Sequence, residues 1–218
     1  LLMNISIQNN DSELIEILNE LILKNNLKNG LLRLMITRGE ISGSPWSFTG
    51  PSNLYINIRS ISQLPKIPVK VVFLPESDYP IIRFNPAIKS MNYIGNMRAK
   101  NDAENLSAYE PVFYNNDSII TECAIRNIFF IKNKILLTPS LDLGVLPGVM
   151  RDIIIEIANT MNLGINECHI NFNDINTMDE SFISSTGIGL LPVYWDSWKS
   201  NYNITKKIKK CLDDRMSK

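Results

Sequence analysis

The stretch IITECAIRNIFFIKNKILLTPSLDLGVLPGVMRD, residues 119–152, holds three short apolar runs and then an abrupt change of period. SIITEC, NIFFIK and KILLTP read as strands, and the polar turn KNK joins the last two in the manner of a hairpin. From Pro147 onward, LPGVMRDIIIEIANTMNLG has an apolar stripe at helical spacing, with proline before its start and Gly164 at its stop. Upstream, VKVVFL and EPVFYN read as strands on either side of a helix from about Met91 to Asn105, with NND as a further polar turn. Downstream, ECHINF is expected as a strand, NDINTMDE as a turn-rich connection and SFISSTGIGLLPVYW as one final strand. Strands grouped between a few helices predict a mixed α/β (α+β) fold, without internal repeats.

The first sixty residues read as a unit of their own. NNDSELIEILNELILKNNLKNG has leucines and isoleucines at helical spacing, with Asn10 and Glu13 placed as a capping box and Gly30 past the end. LLRLMIT and NLYINIRSI follow as strands, separated by RGEISGSPWSFTGPS, a loop long enough to cover a site. Within it, Trp46 and Phe48 either close over an aromatic substrate or simply anchor the loop. QLPKIP, with two prolines, is the expected linker. The chain thus divides into a small N-terminal α/β domain, 1–66, and a larger C-terminal one, 67–218. LLMNISIQN begins without methionine and reads like the tail of an element already in progress, so the small domain is expected to be incomplete.

Composition narrows the function. With 218 residues, 44% of them hydrophobic, the chain can bury a substantial core. Its 22 basic residues balance 22 acidic ones, and its longest basic run, KKIKK at 206–210, reads as the solvated face of a last helix. This gives no electrostatic footprint for nucleic acid. No apolar run approaches the roughly 20 residues that span a bilayer, so no membrane association is expected. Cys123, Cys168 and Cys211 form an odd set without CxxC spacing and suggest free thiols in the cytoplasm. A single histidine, His169, excludes His-rich metal sites and makes a Ser-His-Asp triad improbable; no metal is expected.

Four features could carry chemistry. Lys89 lies between apolar Ile88 and Met91, a setting in which partial desolvation would favour the neutral, nucleophilic amine; the alternative is an ordinary solvated lysine. Glu122 is a carboxylate within an apolar strand and needs a cation if buried; it is otherwise exposed at a strand end or paired with Arg126. GVLPGVMRD presents glycine and free N–H groups at a helix opening, suited to phosphate. SSTG, 184–187, is a second anion cradle or merely a turn. Together, an amine, a carboxylate and two anion cradles are the groups needed to hold pyridoxal 5'-phosphate.

In order and spacing, IKSMNYIGNMRAK, IITECAIRNIFF, LLTPSLDLGVLPGVMRD and MDESFISSTGIGLLPV resemble the signature blocks of the class IV aminotransferases, the fold-type IV pyridoxal-phosphate enzymes. The resemblance spans nearly the whole chain and implies two α/β domains with the cofactor in the cleft between them, and a homodimer. It also implies roles residue by residue. Lys89 would bond the cofactor's aldehyde and shuttle the proton at the substrate α-carbon. Glu122 would face the pyridine nitrogen and keep it protonated. Gly148, Val149 and Met150 would hold the phosphate through their backbone, Ser185 and Thr186 would form the second phosphate contact, and Asn127 would help shape the pocket. An arginine that commonly contacts the phosphate lies, in the family, before the point where this chain begins. Many aminotransferases have threonine at the position of Met150, so a side-chain hydroxyl is lost there while the backbone donor is kept.

Met150 in GVMR, Cys123 in TEC and the opening LRLMITRG resemble the aminodeoxychorismate lyase branch, which forms 4-aminobenzoate and pyruvate for folate synthesis. D-amino acid aminotransferases usually carry an Arg and a His after the equivalent of ITRG; EISGSPWSF has neither. The C-terminal WDSWKSNYNITKK lacks the glycine-rich segment typical of branched-chain enzymes, whereas KSMNYIGNMRAK is at least as close to the transaminases as to the lyases. The expectation is therefore a lyase, with an aminotransferase of branched-chain or D-amino acid type as the alternative and a cofactor-binding but inactive relative as another.

Overall fold

The structure is a computed structural model that describes residues 3, 5–27, 29–61, 64–65 and 68–217. The chain divides into two compact units, Leu1–Gln63 and Leu64–Lys218. Of the expected QLPKIP linker, Gln63, Lys66 and Ile67 lie outside the described residues, as do Leu1, Leu2 and Asn4 of the opening segment.

In the first unit, α1 (Asp11–Asn25) begins with the capping box expected from Asn10 and Glu13: the Asn10 side chain accepts the Glu13 N–H at 3.0 Å, and Glu13 reciprocates at the Asn10 N–H. The helix stops at Asn26, which takes the left-handed conformation (φ 49°), rather than at Gly30, which opens β1 (Gly30–Thr37). Asparagine tolerates that conformation, so the chain turns four residues earlier than the glycine suggests. The long loop contains a small hairpin, β2 (Glu40–Ile41) with β3 (Phe48–Thr49), before β4 (Asn53–Ser60) pairs antiparallel with β1. Within this loop Trp46 is exposed, and Phe48 lies under the Arg38 guanidinium, 4.4 Å from ring centroid to charge centre. No described residue of this unit is buried.

The second unit is built on one mixed eight-stranded sheet. Its strands are β5 (Val69–Pro75), β6 (Glu110–Tyr114), β7 (Ile120–Cys123), β8 (Asn127–Lys132), β9 (Ile135–Pro139), β10 (Gly164–Cys168), β11 (Glu180–Ser185) and β12 (Gly189–Tyr194), ordered β10-β9-β8-β11-β12-β5-β6-β7. Residues 127–131 of β8 are all buried, because both faces of the sheet are covered. Ile128 and Phe130 join a core with Val71, Val112 and the stacked Trp195 and Trp198. Phe129 and Ile131 point the opposite way, toward α3 (Val149–Thr160) and α4 (Asn203–Met216), where Ile154, Ile157, Ile208 and Leu212 close the second core. The remaining helix, α2 (Ile94–Asn105), lays the small residues Ala99 and Ala103 against the sheet, and Gly95 at its start against the Pro80–Ile81 segment. A Cβ at Gly95 would meet the Pro80 carbonyl oxygen at 2.6 Å, so glycine permits this approach.

Three sequence expectations need correction. The strand expected at ECHINF is displaced to Gly164–Cys168, where it runs parallel to β9 from Gly164 opposite Ile135 to Cys168 opposite Pro139. The expected final strand is two, β11 and β12, which fold back on each other because Gly189 turns the chain with φ +63°. The helix after Lys89 begins at Ile94, leaving the lysine in an irregular segment. The KNK turn is as expected: Lys132 pairs with Ile135, and Asn133 and Lys134 both have positive φ, the backbone of a two-residue hairpin loop.

Candidate active site

A cavity of about 320 Å³ in the second unit is lined by Lys89, Glu122, Asn127, Gly148, Val149, Met150, Ser185 and Thr186, the residues for which the resemblance implied cofactor contacts. It lies where β7, the start of β8, the opening of α3 and the β11–β12 turn meet, each element contributing its end rather than its middle. Arg83, Tyr93, Cys123, Arg126, Leu146 and Ser184 complete much of the wall.

Lys89 is exposed, so the amine is not desolvated within this chain. Its apolar neighbours do not cover it: Met91 is itself 64% exposed. Its Nζ lies 3.4 Å from Tyr93 Oη, a contact made within the irregular segment before α2 and so not signalled by helical spacing.

Glu122 is held on both carboxylate oxygens. Oε1 is paired with Arg83 Nη1, and Oε2 accepts the Leu146 N–H at 3.2 Å. Burial pushes its carboxyl above the usual carboxylate range, while Arg83 and the Leu146 N–H pull in the other direction. The cation that pairs with Glu122 is therefore Arg83, and not Arg126. Arg126 instead pairs with Glu110, a fully buried carboxylate that also accepts the Ile125 N–H at 3.1 Å and has Lys100 Nζ at 3.4 Å. Side chains alternate along a strand, and the turn after Cys123 sends Arg126 to the other carboxylate. Arg83 was missed because nothing in IIRF distinguishes it; only the chain reversal before α2 brings it to β7.

No side chain caps the N-terminus of α3, where Gly148 is the N-cap, which leaves the first N–H groups of the helix available to an anion. Gly148 has ordinary extended backbone, φ −76° and ψ 136°, but a Cβ there would collide with Asn127 Oδ1. Asn127 Nδ2 in turn donates to the Leu146 carbonyl at 3.0 Å, fixing the approach to the helix. On the facing strand β11, Ser184 Oγ is buried and, among the described residues, has no hydrogen-bond partner. An uncapped helix start, a glycine wall and an unsatisfied hydroxyl in one cavity fit a phosphate, and an amine and a carboxylate in the same cavity fit an aromatic aldehyde with a basic ring nitrogen.

Fold and site together suit an α/β protein that holds a phosphorylated carbonyl cofactor. The chain belongs to the family described as amino-transferase class IV, whose model matches residues 1–194; this family and a similar branched-chain aminotransferase structure from Thermobaculum terrenum, solved in its PLP form, indicate pyridoxal phosphate as the cofactor. Among curated relatives, a protein of Methanocaldococcus jannaschii provisionally named a branched-chain-amino-acid aminotransferase is 29% identical over 213 residues, covering 94% of this chain and 74% of the relative. D-alanine aminotransferase of Listeria monocytogenes is 30% identical over 188 residues, covering 83% and 63%. Aminodeoxychorismate lyase of Bacillus subtilis is 30% identical over 186 residues, covering 83% and 62%. This chain thus spans less than two thirds of the length of the last two. A crystal structure from Legionella pneumophila, provisionally named a 4-amino-4-deoxychorismate lyase, superposes with a TM-score of 0.87 at 24% identity, covering 97% of this chain and 80% of that one, which establishes the fold-type IV architecture.

Proposed function

We propose that this protein is an aminodeoxychorismate lyase, converting 4-amino-4-deoxychorismate to 4-aminobenzoate and pyruvate in folate biosynthesis. The observation that carries the catalytic reading is the composition of one cavity: the Lys89 amine, the Glu122 carboxylate and the uncapped start of α3 share its wall. The choice of the lyase is supported by Met150 and Cys123, both buried beside that wall and both matching that branch, and by a loop, residues 40–48, without Arg or His to trap an amino acid carboxylate.

Pyridoxal phosphate supplies an electron sink for the pair left at the substrate carbon that bears the amine. Lys89 would hold the cofactor's aldehyde and, once released by substrate, move the proton at that carbon. Glu122 would keep a proton on the ring nitrogen, and its Leu146 and Arg83 contacts hold it in place for that task. The N–H groups of Gly148, Val149 and Met150, with the Ser185 and Thr186 hydroxyls, would hold the phosphate. Asn127 keeps the Leu146–Gly148 entry to the helix in shape.

A class IV aminotransferase is the second reading, favoured by equal similarity to aminotransferases at the sequence level. A cofactor-binding, inactive relative is a third. A homodimer belongs to the proposal and is supported by Ile82, Met91, Ile94 and Met97, large apolar side chains that are all more than half exposed beside the cavity-forming segment. A cytoplasmic setting is supported by three free cysteines.

The test is to incubate the protein with pyridoxal phosphate and, separately, with aminodeoxychorismate or with an amino donor plus 2-oxoglutarate. Release of 4-aminobenzoate and pyruvate without glutamate is the expected result. Glutamate formation alone would move the protein to the aminotransferases, and stoichiometric cofactor with neither product would leave the inactive relative.

A further inference from the structure

Glu76, at the start of the 3-10 turn Glu76–Asp78 that follows β5, shares the Arg83 guanidinium with Glu122. Its Oε1 accepts from Arg83 Nε at 3.0 Å and from Nη2, and also from Thr121 Oγ1 at 2.5 Å. The three charged side chains are 16–19% exposed. One cation between two carboxylates carries a net charge of −1, whereas an Arg83–Glu122 pair alone would be neutral. Glu76 is not part of the cavity wall, so it acts on whatever the cavity holds only through Arg83 and Glu122.

We propose that Glu76 is a positioning residue that offsets the charge of Arg83 and so strengthens the hold of Glu122 on a proton at the cofactor's ring nitrogen. The inference rests on the functional reading above. Its physical basis is Coulombic, since a like or opposite charge within a few ångströms moves a neighbouring proton equilibrium by about 1–3 pH units. Burial first, and Glu76 in addition, favour a proton on Glu122, and the same field favours a proton held directly in front of it. The groups that face Glu122 are Arg83 and Glu76 from the segments after β5, Thr121 beside it in β7 and the Leu146 N–H before α3; Lys89 and Arg126 line the same cavity.

Nitrogen-15 NMR of the holoenzyme, loaded with ring-labelled pyridoxal phosphate, reads that proton independently of turnover. Glu76→Gln keeps the size and an acceptor oxygen but removes the charge, and Glu76→Ala removes both. Each is expected to lower the pH at which the ring nitrogen is deprotonated by about one unit. Thr121→Val loosens the Glu76 contact without changing charge and is expected to leave that pH as in the wild type. A purely anchoring role for Glu76 predicts lower melting temperatures in all three variants with identical ring-nitrogen titrations, which would overturn the proposal. Wild-type protein that takes up no cofactor on Lys89 would overturn the functional reading, and this inference with it.

Discussion

The amide of Asn127 occupies the space that a side chain on Gly148 would need. The backbone at Gly148 suits any residue, so the constraint is space and not conformation. Gly148→Ala must push Asn127 off its bond to Leu146, and overpacking of this kind costs about 1–3 kcal/mol. Thermal melts of the cofactor-free variant should fall by about 2–4 °C for each kcal/mol, with weaker cofactor uptake in a fluorescence titration.

Lys89 contributes little to stability. It is exposed, and its side-chain contact is the 3.4 Å approach to Tyr93 Oη. Lys89→Ala is expected to melt within about 0.5 kcal/mol of the wild type while losing both turnover and the visible absorption of lysine-bound cofactor. Retained turnover would remove Lys89 from the mechanism.

Arg126 belongs to the stability of the site's floor. Removing it leaves Glu110, fully buried, with Lys100 at 3.4 Å as its remaining cation. Arg126→Met should destabilise the fold by about 3 kcal/mol in urea titrations, because breaking one side of a buried pair strands the other. The double variant Arg126→Met, Glu110→Gln should recover much of that loss.

Tyr79 gives the fold a pH dependence at the alkaline end. Burial, and then its 2.9 Å hydrogen bond to Asp102, push its hydroxyl up to about 12 from an ordinary 10.0. The folded state therefore keeps this proton after the unfolded chain has released it. Its contribution is complete below pH 10 and is lost as pH rises toward 12. Tyr79→Phe should cost about 1 kcal/mol at neutral pH through the lost hydrogen bond and should lose less stability than the wild type between pH 10 and 12 in urea titrations.

Much of the fold was legible in local signals. Asn10 and Glu13 declare the start of α1 because the capping box is made within four residues. Asn133 and Lys134 form the expected hairpin loop because a two-residue connection leaves few choices. The errors fell where a local signal had two outcomes. SFISSTGIGLLPVYW reads as one apolar run, and its division into β11 and β12 depends on Leu190 and Leu191 finding opposite cores after the turn. Gly30 looked like a helix stop, but Asn26 reached the left-handed region first.

The candidate site divides in the same way. Residue types raised Lys89, Glu122, the GVLPGVMRD helix opening and the SSTG turn as candidates, each with an ordinary alternative, and the resemblance of the four blocks to class IV aminotransferases gave them their roles. Tertiary structure alone decided which charge meets which: Arg83, 39 residues from Glu122, is its partner in place of nearby Arg126, one of the alternatives that the sequence left open, and Glu76 joins it from 45 residues before Thr121. Local sequence governs short-range backbone geometry and burial pattern, whereas the pairing of buried charges depends on which strand ends the sheet order brings together, and that order is set by contacts between residues far apart in the chain.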